Sequence, residues 1–169
     1  MSLFFLFLLV LTGCSYSENN YLLKRSHDYG EMSYHNYTGT PLLFTSSKTY
    51  YQLFFTQNGF DNGVIFAGGF NQPSNLTLER AGTYKIGLNS QGSGQNNHEY
   101  HLVLFANETE IEECEVVEKL SAGGDITPMT TSCIHYFDAG TYLTLRIADY
   151  TSSGSGVYYA GNINVVRLD

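Results

Sequence analysis

Apolar side chains in this chain recur at every second position, and the runs break at two copies of one tetrapeptide. Leu76 and Leu78 approach Ala81-Gly82-Thr83-Tyr84, and Tyr84, Ile86 and Leu88 leave it. Ile134 and Tyr136 approach Ala139-Gly140-Thr141-Tyr142, and Leu143, Leu145 and Ile147 leave that one. A spacing of two puts side chains on one face of a strand. Both copies are therefore corners between strands, where glycine takes backbone angles that other residues reach only with strain. The apolar positions after the two corners have opposite phase, so the repeat is shared turn chemistry and not a duplicated domain.

The same reading along the chain predicts strands near 31–37, 40–45, 49–56, 63–67, 75–79, 83–90, 98–106, 110–119, 129–137, 141–148 and 157–168. Turn signals separate them: Asn58-Gly59, Asp61-Asn62-Gly63, Gln91-Gly92-Ser93-Gly94, Gly123-Gly124-Asp125 and Ser152 to Gly156. No segment after residue 20 shows a sustained helical period. Many short strands at close spacing predict an all-β antiparallel sandwich or barrel.

Composition fits one domain of that class. The chain has 169 residues, 43% of them hydrophobic, enough for one buried core. Tyr 14, Phe 11 and Gly 17 suit strands and turns. Eight Lys and Arg stand against 16 Asp and Glu, a formal charge of -8, which opposes a phosphate backbone and argues against nucleic acid as a partner.

The chain divides into a hydrophobic segment 1–14, a polar lead-in 15–29 and a folded domain 30–169. Residues 3–12, LFFLFLLVLT, form an unbroken apolar run. It is too short for an ordinary transmembrane helix of roughly 20 residues and suits a signal-peptide core. Its continuation, Leu11-Thr12-Gly13-Cys14, looks like a lipobox, which makes Cys14 a candidate lipidation site. No Lys or Arg precedes the run, and the first basic residues, Lys24 and Arg25, follow it. The other reading is a docking arm, residues 1–20, seated on a partner in an assembly.

Cys114 lies nine residues before Gly123 and Cys133 nine after Gly124. In a hairpin centred on the two glycines they would oppose each other at disulfide distance; the alternative is two reduced, packed thiols. His98 and His101 would hold one metal only on a helix, because residues three apart on a strand face opposite ways, so they read as surface histidines. Glu108, Glu110, Glu112, Glu113, Glu115 and Glu118 read as a solvated strand face that discourages edge pairing. Asn36, Asn75 and Asn107 head glycosylation sequons. The pairs Tyr50-Tyr51 and Tyr158-Tyr159 are candidate contacts for a subunit interface or glycan. No nucleophile, phosphate loop, cofactor motif or metal-ligand set stands out, so the chain reads as non-enzymatic.

Gly30-Glu31-Met32, the corner at 81–84, Gly123-Gly124-Asp125, the corner at 138–142 and the closing Asn162-Ile163-Asn164-Val165-Val166-Arg167-Leu168 occur in a familiar order. Across residues 30–169 the chain resembles the complement globular-head and tumour-necrosis-factor-like jelly rolls, particularly those of phage and metagenomic virion proteins. The resemblance implies an antiparallel jelly-roll β-sandwich of about ten strands that assembles as a homotrimer. It further implies a virion-surface role as capsid decoration, head-fibre or fibre-tip protein, with capsid or fibre protein and host glycan or receptor as partners. The alternative is a surface adhesin anchored through Cys14 in the outer membrane or on the extracellular surface.

Overall fold

The predicted alternation is realised as eleven strands in the computed structural model, which describes residues 27–69, 72–121 and 124–169. They are β1 (Tyr29–Phe44), β2 (Tyr51–Gln52), β3 (Gln57–Asn58), β4 (Val64–Gly69), β5 (Gln72–Leu78), β6 (Gly82–Ser93), β7 (Glu99–Ala106), β8 (Thr109–Lys119), β9 (Thr127–Phe137), β10 (Tyr142–Asp149) and β11 (Gly154–Arg167). Two sheets form, one ordered β3-β1-β11-β6-β9 and the other β4-β5-β10-β7-β8, with β2 added against β10. Every pairing is antiparallel. The chain passes repeatedly from one sheet to the other, as a jelly roll requires. The segment 1–14, most of the lead-in, and with them Cys14, lie outside the described residues.

Inward positions alternate as the sequence indicates. Met32, Tyr34, Ile86, Leu88, Ile163 and Val165 of the first sheet face Leu76, Leu78, Leu102, Leu104, Leu143 and Leu145 of the second, all buried. The opposite phase of the two corners is also visible: Tyr84 is fully buried while Tyr142 is only half-buried. Their glycines serve different ends. Gly140 has φ +82° and open space where a Cβ would stand, so it answers a backbone demand. A Cβ on Gly82 would lie 2.5 Å from Asp169 Oδ1 and Arg167 Nε, so that glycine makes room for the chain's last residues.

Three expectations are corrected. The strands near 31–37 and 40–45 are one strand, β1, whose register with β11 shifts between His35 and Thr40. Asn36 shapes that bulge: its Oδ1 accepts from Thr38 N at 3.0 Å and Thr38 Oγ1 at 2.8 Å. The strand near 49–56 shrinks to β2; Leu53 and Phe55 are still buried, but their amides bond Leu145 O and Ser74 Oγ. The hairpin at Gly123-Gly124 does not form, because β8 and β9 enter different sheets and share no ladder.

Candidate functional site

The outer face of the six-stranded sheet carries a second, smaller cluster. Along β7, Leu102 and Leu104 point into the core, so Val103 and Phe105 point away from it, yet they are buried to 0% and 7% exposure. The cover comes from side chains of neighbouring segments. The Tyr50 ring stands edge-on to Phe105 at 5.0 Å, and the Arg146 guanidinium lies 4.4 Å over the same ring. Tyr50 Oη donates to Glu110 at 2.9 Å, which leaves it to accept from the Tyr150 hydroxyl, also at 2.9 Å. Burial, followed by these hydrogen bonds, pushes the Tyr50 phenol well above its ordinary range.

Tyr150 stacks in turn on His101, with centroids 3.5 Å apart. The two imidazole nitrogens meet Glu115 and, at 3.0 Å, Glu99. Arg146 pairs with Glu108, which also accepts from Tyr142 Oη at 3.1 Å; Arg146 first and Tyr142 next hold the Glu108 carboxyl below its usual range. Within the acidic stretch Glu108, Glu110, Glu113 and Glu115 each have a side-chain partner, while Glu108, Glu112 and Glu113 remain exposed.

The outer face of the five-stranded sheet is different. Register places Ile134 of β9 beside Lys85 of β6, Lys85 beside Val166 of β11, and Val166 beside Tyr29 of β1. One step on, Tyr136 pairs with Thr83, whose carbonyl accepts from Leu168 N. Ile134 and Tyr136 are each 59% exposed, Leu168 47%, Tyr29 42% and Val166 41%. β9, β11 and β1 thus present apolar side chains to solvent on one face, with Lys85 and Thr83 of β6 standing between those of β9 and β11. Beside it, Asn164 Nδ2 donates to Asn162 Oδ1 at 3.0 Å and Asn162 to Glu31.

The cysteines meet by a route other than a hairpin. Cys114 on β8 and Cys133 on β9 are the edge strands' inward residues, with Cα atoms 5.3 Å apart and the sulfurs joined across the gap between sheets. The tyrosine pairs separate. Tyr50 belongs to the outer cluster; Tyr51 is half-buried, its hydroxyl 2.6 Å from Thr45 Oγ1 and its ring edge-on to Phe44. Tyr159 is half-buried at the β11 irregularity. Tyr158 corrects the expectation of an exposed contact: it is 1% exposed and stacks on Tyr34 at 4.9 Å, because the irregularity between Tyr158 and Ala160 shifts the phase of β11 and turns it inward.

The histidines are not simply surface residues either. His98 Nδ1 sits 2.6 Å from the buried Asp149, away from His101, and His135 pairs with Glu113 at 2.6 Å. Asn36 is half-buried in its bulge and Asn75 half-buried in β5, whereas Asn107 is exposed and its Oδ1 accepts from Tyr142 N at 3.0 Å. Sequence reasoning missed Asp28, fully buried between Arg80 at 3.0 Å and Arg167 at 3.6 Å. No local signal marks it, because its partners lie 52 and 139 residues away. Among the described residues no cluster of three or more His, Cys, Asp or Glu could hold a metal ion.

No protein-family model matches the chain, and no curated protein sequence does. Solved structures do. Eiger TNF from S. frugiperda superposes with a TM-score of 0.59 at 9% identity, covering 85% of this chain and 93% of that one. The globular domain of zebrafish complement 1qA protein gives 0.55 at 10% identity, covering 84% and 98%. PRD1 vertex protein P5 gives 0.52 at 15% identity, covering 84% and 97%. At such identities the likeness speaks for the fold. The chain has the tumour-necrosis-factor-like jelly-roll fold.

Proposed function

We propose that this chain is a non-enzymatic virion structural protein, a capsid-decoration, head-fibre or fibre-tip module that works as a homotrimer. The observation that carries self-assembly is the strip formed by Tyr29, Ile134, Tyr136, Val166 and Leu168. Exposed apolar side chains on a sheet face gain free energy when a second surface covers them, and another copy of the same chain would be such a surface. Support for the virion setting comes from the likeness to PRD1 vertex protein P5 and from the run 3–12, which suits an arm docked on capsid or fibre protein. Host glycan or receptor would meet faces left free in the trimer, Tyr50 and Tyr51 among them.

Two measurements test this. Sedimentation of the native protein should give a trimer, and Ile134→Glu should give a folded monomer; a monomeric native protein overturns the assembly. Mass spectrometry of purified particles should find the chain; its presence only in cell envelopes overturns the virion role. The sequence Leu11-Thr12-Gly13-Cys14 favours a second reading, the lipid-anchored surface adhesin. An acylated Cys14 at the mature N-terminus would establish that reading, and an intact Met1 would exclude it.

A further inference from the structure

Lys85 interrupts the apolar side chains on the outer face of the five-stranded sheet, where register sets it between Ile134 and Val166. It is exposed and forms no ion pair or side-chain hydrogen bond among the described residues, whereas Arg80, Arg146 and Arg167 each meet a carboxylate. When a second surface covers the apolar groups, the ammonium is covered with them, and a charge taken out of water needs a counter-charge. The carboxylates that flank this face are already engaged. Glu31 accepts from Asn162, and Asp169 accepts from Arg167 Nε at 3.0 Å and from the Thr83 amide at 3.2 Å. This face laid against itself therefore brings Lys85 no free acid.

The edge strand β8 carries one. Val103 of β7 pairs with Glu115 and Leu104 with Ile111, so Glu112, Glu113 and Cys114 bulge out of that ladder. Bulges at sheet edges re-aim side chains. Two of these residues are tied across to β9, Glu113 to His135 at 2.6 Å and Cys114 to Cys133 by the disulfide. The third, Glu112, is exposed and has no partner among the described residues. The ties also set its height along the sandwich. Cys133 and His135 flank Ile134, the residue that pairs with Lys85, so Glu112 stands near the level of Lys85 on the neighbouring edge of the molecule. A rotation about an axis along the strands keeps that level, and it carries Glu112 of one copy to the height of Lys85 on the next.

We propose that in the homotrimer Glu112 of each copy pairs with Lys85 of the next. This rests on the self-assembly proposed above and adds which surface covers the face: the β8–β9 edge of another copy. A three-fold ring is heterologous by symmetry, which agrees with the lack of a free acid on the Lys85 face itself. The apolar side chains supply the gain on contact, and the charge pair fixes the register of the contact, since any other placement leaves Lys85 covered and unpaired.

Sedimentation of the full chain over a range of concentrations tests the pair, with circular dichroism to check that each variant folds. The native protein should be a trimer. Lys85→Glu and Glu112→Lys, both at exposed positions, should each weaken association at least about ten-fold. The double exchange, Lys85→Glu with Glu112→Lys, should recover most of that loss, because the pair is restored with its signs reversed. A native monomer overturns the self-assembly reading and the pair with it. A native trimer that neither single change weakens overturns the pair alone, as does a double exchange that associates no better than the weaker single variant.

Discussion

Removing the Cys114–Cys133 bridge perturbs the one place, among the described residues, where the edges of the two sheets are fastened covalently. No backbone ladder joins β8 to β9, so once the sulfurs part, only side-chain packing opposes their separation. The bridged residues are 19 apart in sequence, closing a loop of about 20 residues. Chain-entropy reasoning assigns such a loop about 3 kcal/mol of stabilisation through the unfolded state. For a domain of this size that is a fall in Tm of about 6–12 °C. Non-reducing mass measurement of native material first establishes the bond, since alkylation of both thiols would rule it out. Calorimetric melts with and without a phosphine reductant then give the shift, and Cys114→Ala with Cys133→Ala checks it without reagent. Hydrogen exchange adds the location: amides of β8 and β9 should lose protection before those of β11, at the centre of its sheet. A bonded protein whose Tm is the same in reductant would refute the reasoning, because the crosslink would then constrain nothing that folding must order.

Two further outcomes follow from buried polar groups. Burial first, then Asp28, pushes the Tyr84 phenol up to about 12, and Tyr50 and Tyr158 are raised further, chiefly by burial. A raised folded pKa means stability fully present below the ordinary value of 10 and lost as pH climbs from 10 through 12. Ultraviolet titration should therefore find these three of the 14 tyrosines un-ionised until alkaline unfolding; all 14 ionising near pH 10 in folded protein contradicts the burial argument. Asp28→Asn removes the carboxylate that holds Arg80 and Arg167 and should cost about 2 kcal/mol, below the roughly 3–5 of a fully buried pair because Arg80 is 52% exposed. A denaturant midpoint unchanged by that substitution would show the pair to be incidental.

The layers of this fold were legible because alternation is a local signal. Tyr84, Ile86 and Leu88 announce their shared face within five residues, and the structure buries all three. The short or interrupted elements were not legible in the same way. Tyr51–Gln52 is a strand only because Arg146 and Ile147, far along the chain, offer it a ladder. The bulge in β1 looked like a break between strands because Asn36-Tyr37-Thr38-Gly39 carries turn residues, yet Asn36 uses them to keep one strand continuous.

The cysteines show how a correct distance can come with a wrong topology. Equal spacing about Gly123-Gly124 brings Cys114 and Cys133 together in a hairpin, but it does so equally when the two strands cross from one sheet to the other, since the connecting loop is the same length. The strand pairing, not the spacing, separates the cases: β8 finds β7, and β9 finds β6. The outer cluster was hidden for a related reason. Val103 and Phe105 extend the β7 run into four consecutive apolar residues, Leu102 to Phe105, and such a run means that both faces are covered. The sequence therefore contained the sign that something lies over that sheet. It did not name Tyr50 and Arg146 as the cover, because those positions depend on which strands become neighbours. The same dependence governs Tyr158: its inward direction is set by the bulge that shifts β11 against β6 between Tyr158 and Ala160, so it shares the core with Gly161, three residues on. A bulge breaks the two-residue rule there, and this is why the inward turn of Tyr158 is a property of the folded sheet and not of any readable motif.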